Sequence, residues 1–143
     1  LTNCTFSANS ASYGGGMYNI GSESLPTVIN CILWGDTPDE IANEGSTPTV
    51  TYSDIDMKAL AASPYTGTGN INADPLLADG PGGDFHLELG SPCIDAGSNA
   101  APSLPDKDFE GNLRLLDGNG DGTEVADMGA DEFHLEGYRV QNP

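Results

Sequence analysis

Basic residues are nearly missing from this chain. Four Lys and Arg stand against 22 Asp and Glu, a formal net charge of −18 over 143 residues. A surface of that sign repels nucleic acid and anionic lipid, so neither is expected as a partner. Also missing is any apolar run near the roughly 20 residues that cross a bilayer, so no membrane insertion by such a span is expected. Long amphipathic stretches are absent too, and 19 Gly and 10 Pro oppose helices, which leaves short strands joined by turns. Three cysteines cannot all pair, so at least one is free or bonded between chains. The chain opens at Leu1 inside a strand-like stretch, without an initiator Met or a signal peptide, and a processed product or fragment is expected. The acidic surplus makes the compact state self-repelling unless cations bind, and calcium is the first to consider.

What is present is a repeat. Thr27 to Trp34, TVINCILW, matches LTNCTF at Leu1 to Phe6 and TVTYSDID at Thr49 to Asp56. Asn3-Cys4 aligns with Asn30-Cys31 at a spacing of 27, and Thr27-Val28 with Thr49-Val50 at 22. Between them, GGMYN ending at Asn19 aligns with DEIAN ending at Asn43 at a spacing of 24. Strands kept in register by loops of varying length are the mark of a solenoid. Read with period two, one face stacks Thr2, Ile29 and Thr51, then Cys4, Cys31 and Ser53, then Phe6, Leu33 and Ile55. Small or apolar residues of matched size suit a narrow interior. The other face stacks Asn3, Asn30 and Tyr52, then Thr5, Ile32 and Asp54, then Ser7, Trp34 and Asp56. Its polarity predicts a surface. Cys4 and Cys31, about 4.8 Å apart if stacked, could be bridged, but two buried thiols packing as small hydrophobes are favoured. The sequon Asn3-Cys4-Thr5 is read as part of the strand.

Gly14 to Gly16 mark a tight turn in the first coil, and Asn9, Asn19 and Asn43 fall at turn positions, where Asn accepts a left-handed backbone or forms an internal ladder. The acidic loop WGDTPDE belongs to the surface of the second coil. MKALA from Met57 predicts a short helix, SPYTGTGN a loop, and DFHLEL a half-buried strand with Phe85, Leu87 and Leu89 alternating with His86 and Glu88. Residues 1–97 thus read as coils, and 98–143 as an acidic, irregular cap.

The most specific chemical motif is DGNGDGTEVAD. Oxygen ligands at loop positions one, three and five, a Gly at six and a carbonyl at seven suit calcium. These are Asp117, Asn119, Asp121, Gly122 and Thr123; Asp127 stands one residue short of the twelfth-position acid, and Asp131 or Glu132 could close the site. Asp106, Asp108 and Glu110 form a second acidic group, expected as a solvated loop. Arg114 is expected to pair with a carboxylate of the cap. Trp34, beside Asp36, Asp39 and Glu40, could stack on a sugar ring. His86 and His134 have no evident catalytic partner and are expected at the surface.

NCTFSANSASYGGGMYN, NCILWGD, VTYSDID, GTGNINADPLL, DFHLELGSPCIDAG and DGNGDGTEVADMGADEF together resemble the C-terminal region of bacterial right-handed parallel β-helix proteins with a choice-of-anchor domain. The F-x-x-N and GG-x-x-Y elements are similar to the repeats of polymorphic outer-membrane proteins. The likeness runs in order to Phe133; HLEGYRVQNP then stands where an anchoring signal would be. It implies an all-β chain, a right-handed parallel β-helix of about three coils with a loop-rich C-terminal cap, secreted or displayed on a bacterial cell surface. The family has no single activity and includes adhesins and polysaccharide lyases. In lyase-like relatives, outward carboxylates bind calcium, a role that would fall to Asp54 and Asp56; only Lys58 is near as a cationic partner, and the negative surface opposes a polyanionic substrate. A non-enzymatic structural or adhesive module is therefore expected. Its partners would be surface glycans or further copies of itself, stacked end to end on the open rung at Leu1 and growing into filaments.

Overall fold

Repeated hydrogen-bonding registers, rather than long strands, organise the chain. The computed structural model describes residues 1–57, 65 and 67–135. It is all-β apart from short helical turns, with strands β1 (Thr5–Ser7), β2 (Met17–Ile20), β3 (Thr27–Ile29), β4 (Ile32–Trp34), β5 (Ile41–Glu44), β6 (Thr49–Thr51), β7 (Asp54–Ile55), β8 (Leu77–Asp79) and β9 (Asp84–Leu87). Parallel pairing joins β1, β4 and β7 in that order, β2 with β5, and β3 with β6. The registers Thr5 to Ile32, Met17 to Ile41 and Thr27 to Thr49 reproduce the spacings of 27, 24 and 22 read from the repeats. Asn19 and Asn43 lie within strands β2 and β5 rather than at turns; Asn19 Nδ2 donates to Asn43 Oδ1 at 2.9 Å and Asn43 Nδ2 to the Tyr65 hydroxyl at 2.6 Å, the ladder of the two roles expected for them. The region predicted as a helix from Met57 lies mostly outside the described residues, as do Lys58 and the tail from residue 136.

The rung TVINCILW is two strands, not one. Asn30 adopts the left-handed conformation at φ 52°, and its stacked equivalents Asn3 and Tyr52 do so at 50° and 48°. A residue of that hand turns the chain sharply and breaks the period-two alternation. Val28 and Val50 therefore join Cys31, Leu33 and Ile55 in the core cluster; Ile29 is buried as expected but outside that cluster, and Thr51 is half-buried. Just after each bend a small side chain reaches back two residues: Cys4 Sγ to Thr2 O at 3.4 Å, Cys31 Sγ to Ile29 O at 3.2 Å, and Ser53 Oγ to Thr51 O at 2.9 Å. Thiol and hydroxyl do the same work here, which is why Cys and Ser alternate at one position. All three cysteines are free thiols.

The second face is not a surface. Asn30, Ile32 and Asp54 are fully buried, because the C-terminal segment lies across them. Gly129 N donates to Asn30 O at 2.9 Å, Ala130 N to Thr5 Oγ1 at 2.9 Å, and Asn3 Nδ2 to Asp127 O at 2.9 Å. Ile32 packs with Leu87, Cys93, Met128 and Phe133 in a second hydrophobic cluster, with Trp34 and Tyr52 at its margin. Gly129 is obligatory at this contact: at φ 95°, a Cβ there would stand 2.6 Å from Ile32 Cδ1. The antiparallel pair β8 and β9 borders the same cluster. Leu87 is buried, Phe85 half-buried and Leu89 exposed, so only part of the alternation predicted for DFHLEL faces inward.

Asn30 should be the most sensitive polar position. Its side chain accepts from Ser98 N at 2.8 Å and donates to Ser98 O at 3.1 Å. Asn30→Gly, which keeps the bend but loses these bonds, is expected to cost about 1–3 kcal/mol. Asn30→Ala should cost about 1–2 kcal/mol more for the left-handed backbone, as read by urea denaturation. Equal losses in the two variants would show that the bend contributes nothing.

Candidate functional site

The chain folds the DGNGDG loop back on its own carboxylates. Asp117 Oδ1 accepts from Gly120 N at 2.7 Å and Asp121 N at 3.0 Å, and its Oδ2 from Gly122 N at 2.9 Å. Asn119 Oδ1 accepts from Asp121 N at 2.9 Å, and Asp121 Oδ1 from Thr123 N at 2.8 Å. A bridge between Leu116 and Val125 closes the base of the loop. These oxygen donors fit a hard cation such as calcium. Asp127 does not belong to the set. It is buried under the loop, where Oδ1 accepts from Asp95 N at 2.7 Å and Oδ2 from Phe133 N at 2.6 Å. Asp95, which sequence reading passed over, takes its place beside the loop and accepts from Asn119 N at 2.8 Å. Burial raises the Asp95 carboxyl pKa, and the charges of Asp117 and Asp121 add to the rise.

Asp131 and Glu132 do not close the loop either. Arg114, almost fully buried, donates to Asp131 O and Ala130 O at 2.7 Å each and stands 3.5 Å from Glu132 Oε2, the cap ion pair expected of it. Glu132 Oε2 also accepts from Asp127 N at 3.1 Å. Burial pushes Asp127 up to about 7, with Asp95 and Asp131 adding repulsion. Burial likewise pushes Glu132 up to about 9, the Asp127 charge adding to it and Arg114 pulling it back.

The proposed carbohydrate residues are scattered by the fold. Asp54 is buried: it accepts from Cys93 Sγ at 3.3 Å and from Ala73 N at 3.2 Å, and burial raises it to about 6. It is not available as an outward, lyase-type metal ligand; Asp56 is half-buried beyond it. Asp36 and Glu40 also turn inward. Asp36 Oδ1 accepts from Asn9 N at 2.7 Å, and Glu40 accepts from Asp36 N at 3.1 Å, so both hold turns, and of the loop's three acids Asp39 alone faces solvent. Trp34 is half-buried and borders a hollow of about 330 Å³ lined also by Ser7, Asp74, Pro75, Leu77 and Pro81.

His86 has acidic partners. Its Nδ1 lies 2.5 Å from Asp84 Oδ1 and its Nε2 3.1 Å from Glu110 Oε2. The only signal in the sequence was the D-x-H pair, which places both side chains on one face of a strand. Glu110 arrives because Asp108 builds a turn rather than a solvated loop, accepting from Glu110 N at 2.9 Å, Gly111 N at 2.7 Å and Asn112 N at 2.8 Å. Burial opposes the Asp108 charge, but the Asn112 side chain and these backbone donors outweigh it and hold the carboxyl below its usual range.

Comparison of the chain with family models, curated protein sequences and solved structures finds no match.

The buried acids dictate a pH dependence. Between about pH 4, where ordinary carboxyls ionise, and the raised values of about 7 for Asp127 and 9 for Glu132, the folded chain holds protons that the unfolded chain has released. Stability therefore falls as pH rises through that window. The melting temperature should drop by roughly 5–10 °C from pH 5 to pH 9 in low salt, and Glu132→Gln should flatten the curve above pH 7. A melting temperature that climbs with pH would contradict this account of the cap.

Proposed function

We propose that this chain is a non-enzymatic structural or adhesive module of the extracellular or cell-surface type, the terminal coils and cap of a right-handed parallel β-helix. The observation that supports it best is the set of in-register parallel ladders. Strands β1, β2 and β3 form the outer members of those ladders. A further coil, from the same polypeptide or from a second copy, would continue the hydrogen bonding there, as edges of this kind invite. At the opposite end Tyr52 N donates to Thr68 O and Ile55 N to Ile71 O, so the chain itself continues the pairing there and growth would be directed to the end at β1, β2 and β3.

Calcium is the proposed stabiliser of the cap, held by Asp117, Asn119, Asp121 and the Thr123 carbonyl with Asp95 adjacent. Bound there, it would neutralise a crowded group of carboxylates on a chain of net charge −18. Millimolar calcium should raise the melting temperature by several degrees, since saturation at about 100 times Kd contributes ~2.7 kcal/mol. Asp117→Asn with Asp121→Asn should abolish the shift. Sedimentation velocity in calcium and again in chelator should show polymers that dissociate when calcium is removed. An unchanged melting temperature rejects the calcium role, and a monomer in both conditions rejects end-to-end assembly.

A second reading, carbohydrate binding, is favoured by the hollow beside Trp34. Trp34 is the only tryptophan, so intrinsic fluorescence reports on that place alone. Neutral oligosaccharides at millimolar concentration should shift or quench it if the hollow takes a sugar, and Trp34→Ala should remove binding in a glycan screen. No spectral change across a broad panel would eliminate this reading.

A further inference from the structure

We propose that His86, Glu110 and Asp131 form a binding site for a divalent transition-metal ion, zinc on the chemistry of its donors. One ligand atom from each lies within 4.8 Å of the other two. They come from three separate parts of the chain: β9, the turn built by Asp108, and the segment packed across β4.

The fold positions each donor independently. Asp131 is buried, and its Oδ2 accepts from Leu87 N at 2.8 Å. Glu110 is set by the Asp108 turn, with its N–H on Asp108 Oδ1. The His86 ring rests against Phe109 at a centroid distance of 5.3 Å. Asp84 completes the arrangement from outside the cluster. Its Oδ1 lies 2.5 Å from Nδ1; with a metal on Nε2 the ring proton would stay on Nδ1, held by this carboxylate as behind other metal-bound imidazoles. Nε2 lies 3.1 Å from Glu110 Oε2, a contact that a proton on Nε2 satisfies in the metal-free chain; a divalent ion would displace that proton and take its place among the three donors.

The donor set selects the cation. Calcium prefers six to eight oxygens, whereas one imidazole nitrogen and two carboxylates with room for water suit zinc, at about 2.0–2.2 Å to each. Ligand atoms around a tetrahedral zinc are about 3.3 Å apart, so the cluster must contract. Glu110 and His86, at 49% and 43% side-chain exposure, have the freedom to do so, and the open side leaves space for solvent ligands. The site is separate from the Asp117 loop, and neither depends on the other.

Zinc titration of the full chain, in millimolar calcium to saturate the acidic loop, tests the assignment by calorimetry. One zinc per chain with micromolar affinity is expected. His86→Gln should weaken it at least a hundredfold, Glu110→Gln at least tenfold, and the positioning variant Asp84→Asn about 10–100-fold. Asp121→Asn should leave zinc binding unchanged while losing the calcium response. Cobalt, substituted for zinc, should give visible bands of a nitrogen and oxygen site without thiolate charge transfer. Because His86 and Glu110 are half exposed, circular dichroism should show their variants folded. No binding up to about 1 mM zinc, affinity retained in folded His86→Gln, or a thiolate band pointing to the cysteines would each overturn the proposal.

Discussion

Asn30 holds a left-handed backbone inside a fully buried environment, and both properties propagate through the molecule. The backbone turn, repeated at Asn3 and Tyr52, makes a corner in every coil at the same register, so successive corners stack and the flanking strands pair. The side chain meanwhile spends its hydrogen bonds on Ser98, far along the chain. Its own carbonyl accepts from Gly129. One residue thus sets the shape of the coil and joins the coil to its cover. The apolar contacts of Ile32 with Met128 and Phe133 contribute the larger free energy, at about 1.5–3 kcal/mol for each large side chain buried, but the polar contacts decide which surfaces meet.

That cover changes the electrostatics. A chain with so few cations would ordinarily keep its carboxylates in water, yet Asp36, Glu40, Asp54, Asp108, Asp127, Asp131 and Glu132 are all buried. Asp108 keeps its charge because backbone N–H groups and the Asn112 side chain replace the lost hydration. Where donors run short, the carboxyl instead holds its proton toward neutral pH, as Glu132 does even with Arg114 nearby. The fold divides its acids into two groups. Inward ones serve as turn braces and proton-holding core groups, while Asp117, Asp121 and Glu110 remain near solvent where a cation can reach them.

Much of the fold was legible in the residues. Each of the three register spacings could be read because ladder partners carry like residues at like places. The ladder was one of two roles read for Asn19 and Asn43, which proved to lie in strands rather than turns, and the pairing of Arg114 with the cap could be read from its place between acidic groups. The inward set was incomplete, since a left-handed residue in the middle of TVINCILW resets the alternation and buries Val28 as well as Ile29. The site was legible where its donors are contiguous, from Asp117 to Thr123. It failed at Asp127, whose spacing nearly fits the loop but whose backbone belongs to the buried strip beneath. His86, Glu110 and Asp131 are far apart in sequence and carry no shared motif.

By itself the sequence determined the local and the periodic: parallel strand pairs at spacings of 27, 24 and 22, an oxygen-rich acidic loop, and a strongly negative net charge. These depend on near neighbours or on a repeat, and both leave a pattern along the chain. Only the tertiary structure decided which face of the coils was covered, which carboxylates were drawn inward, and which histidine found two acids. Those outcomes follow from contacts that leave no periodic trace, chief among them the docking of the C-terminal segment on a sheet more than ninety residues before it.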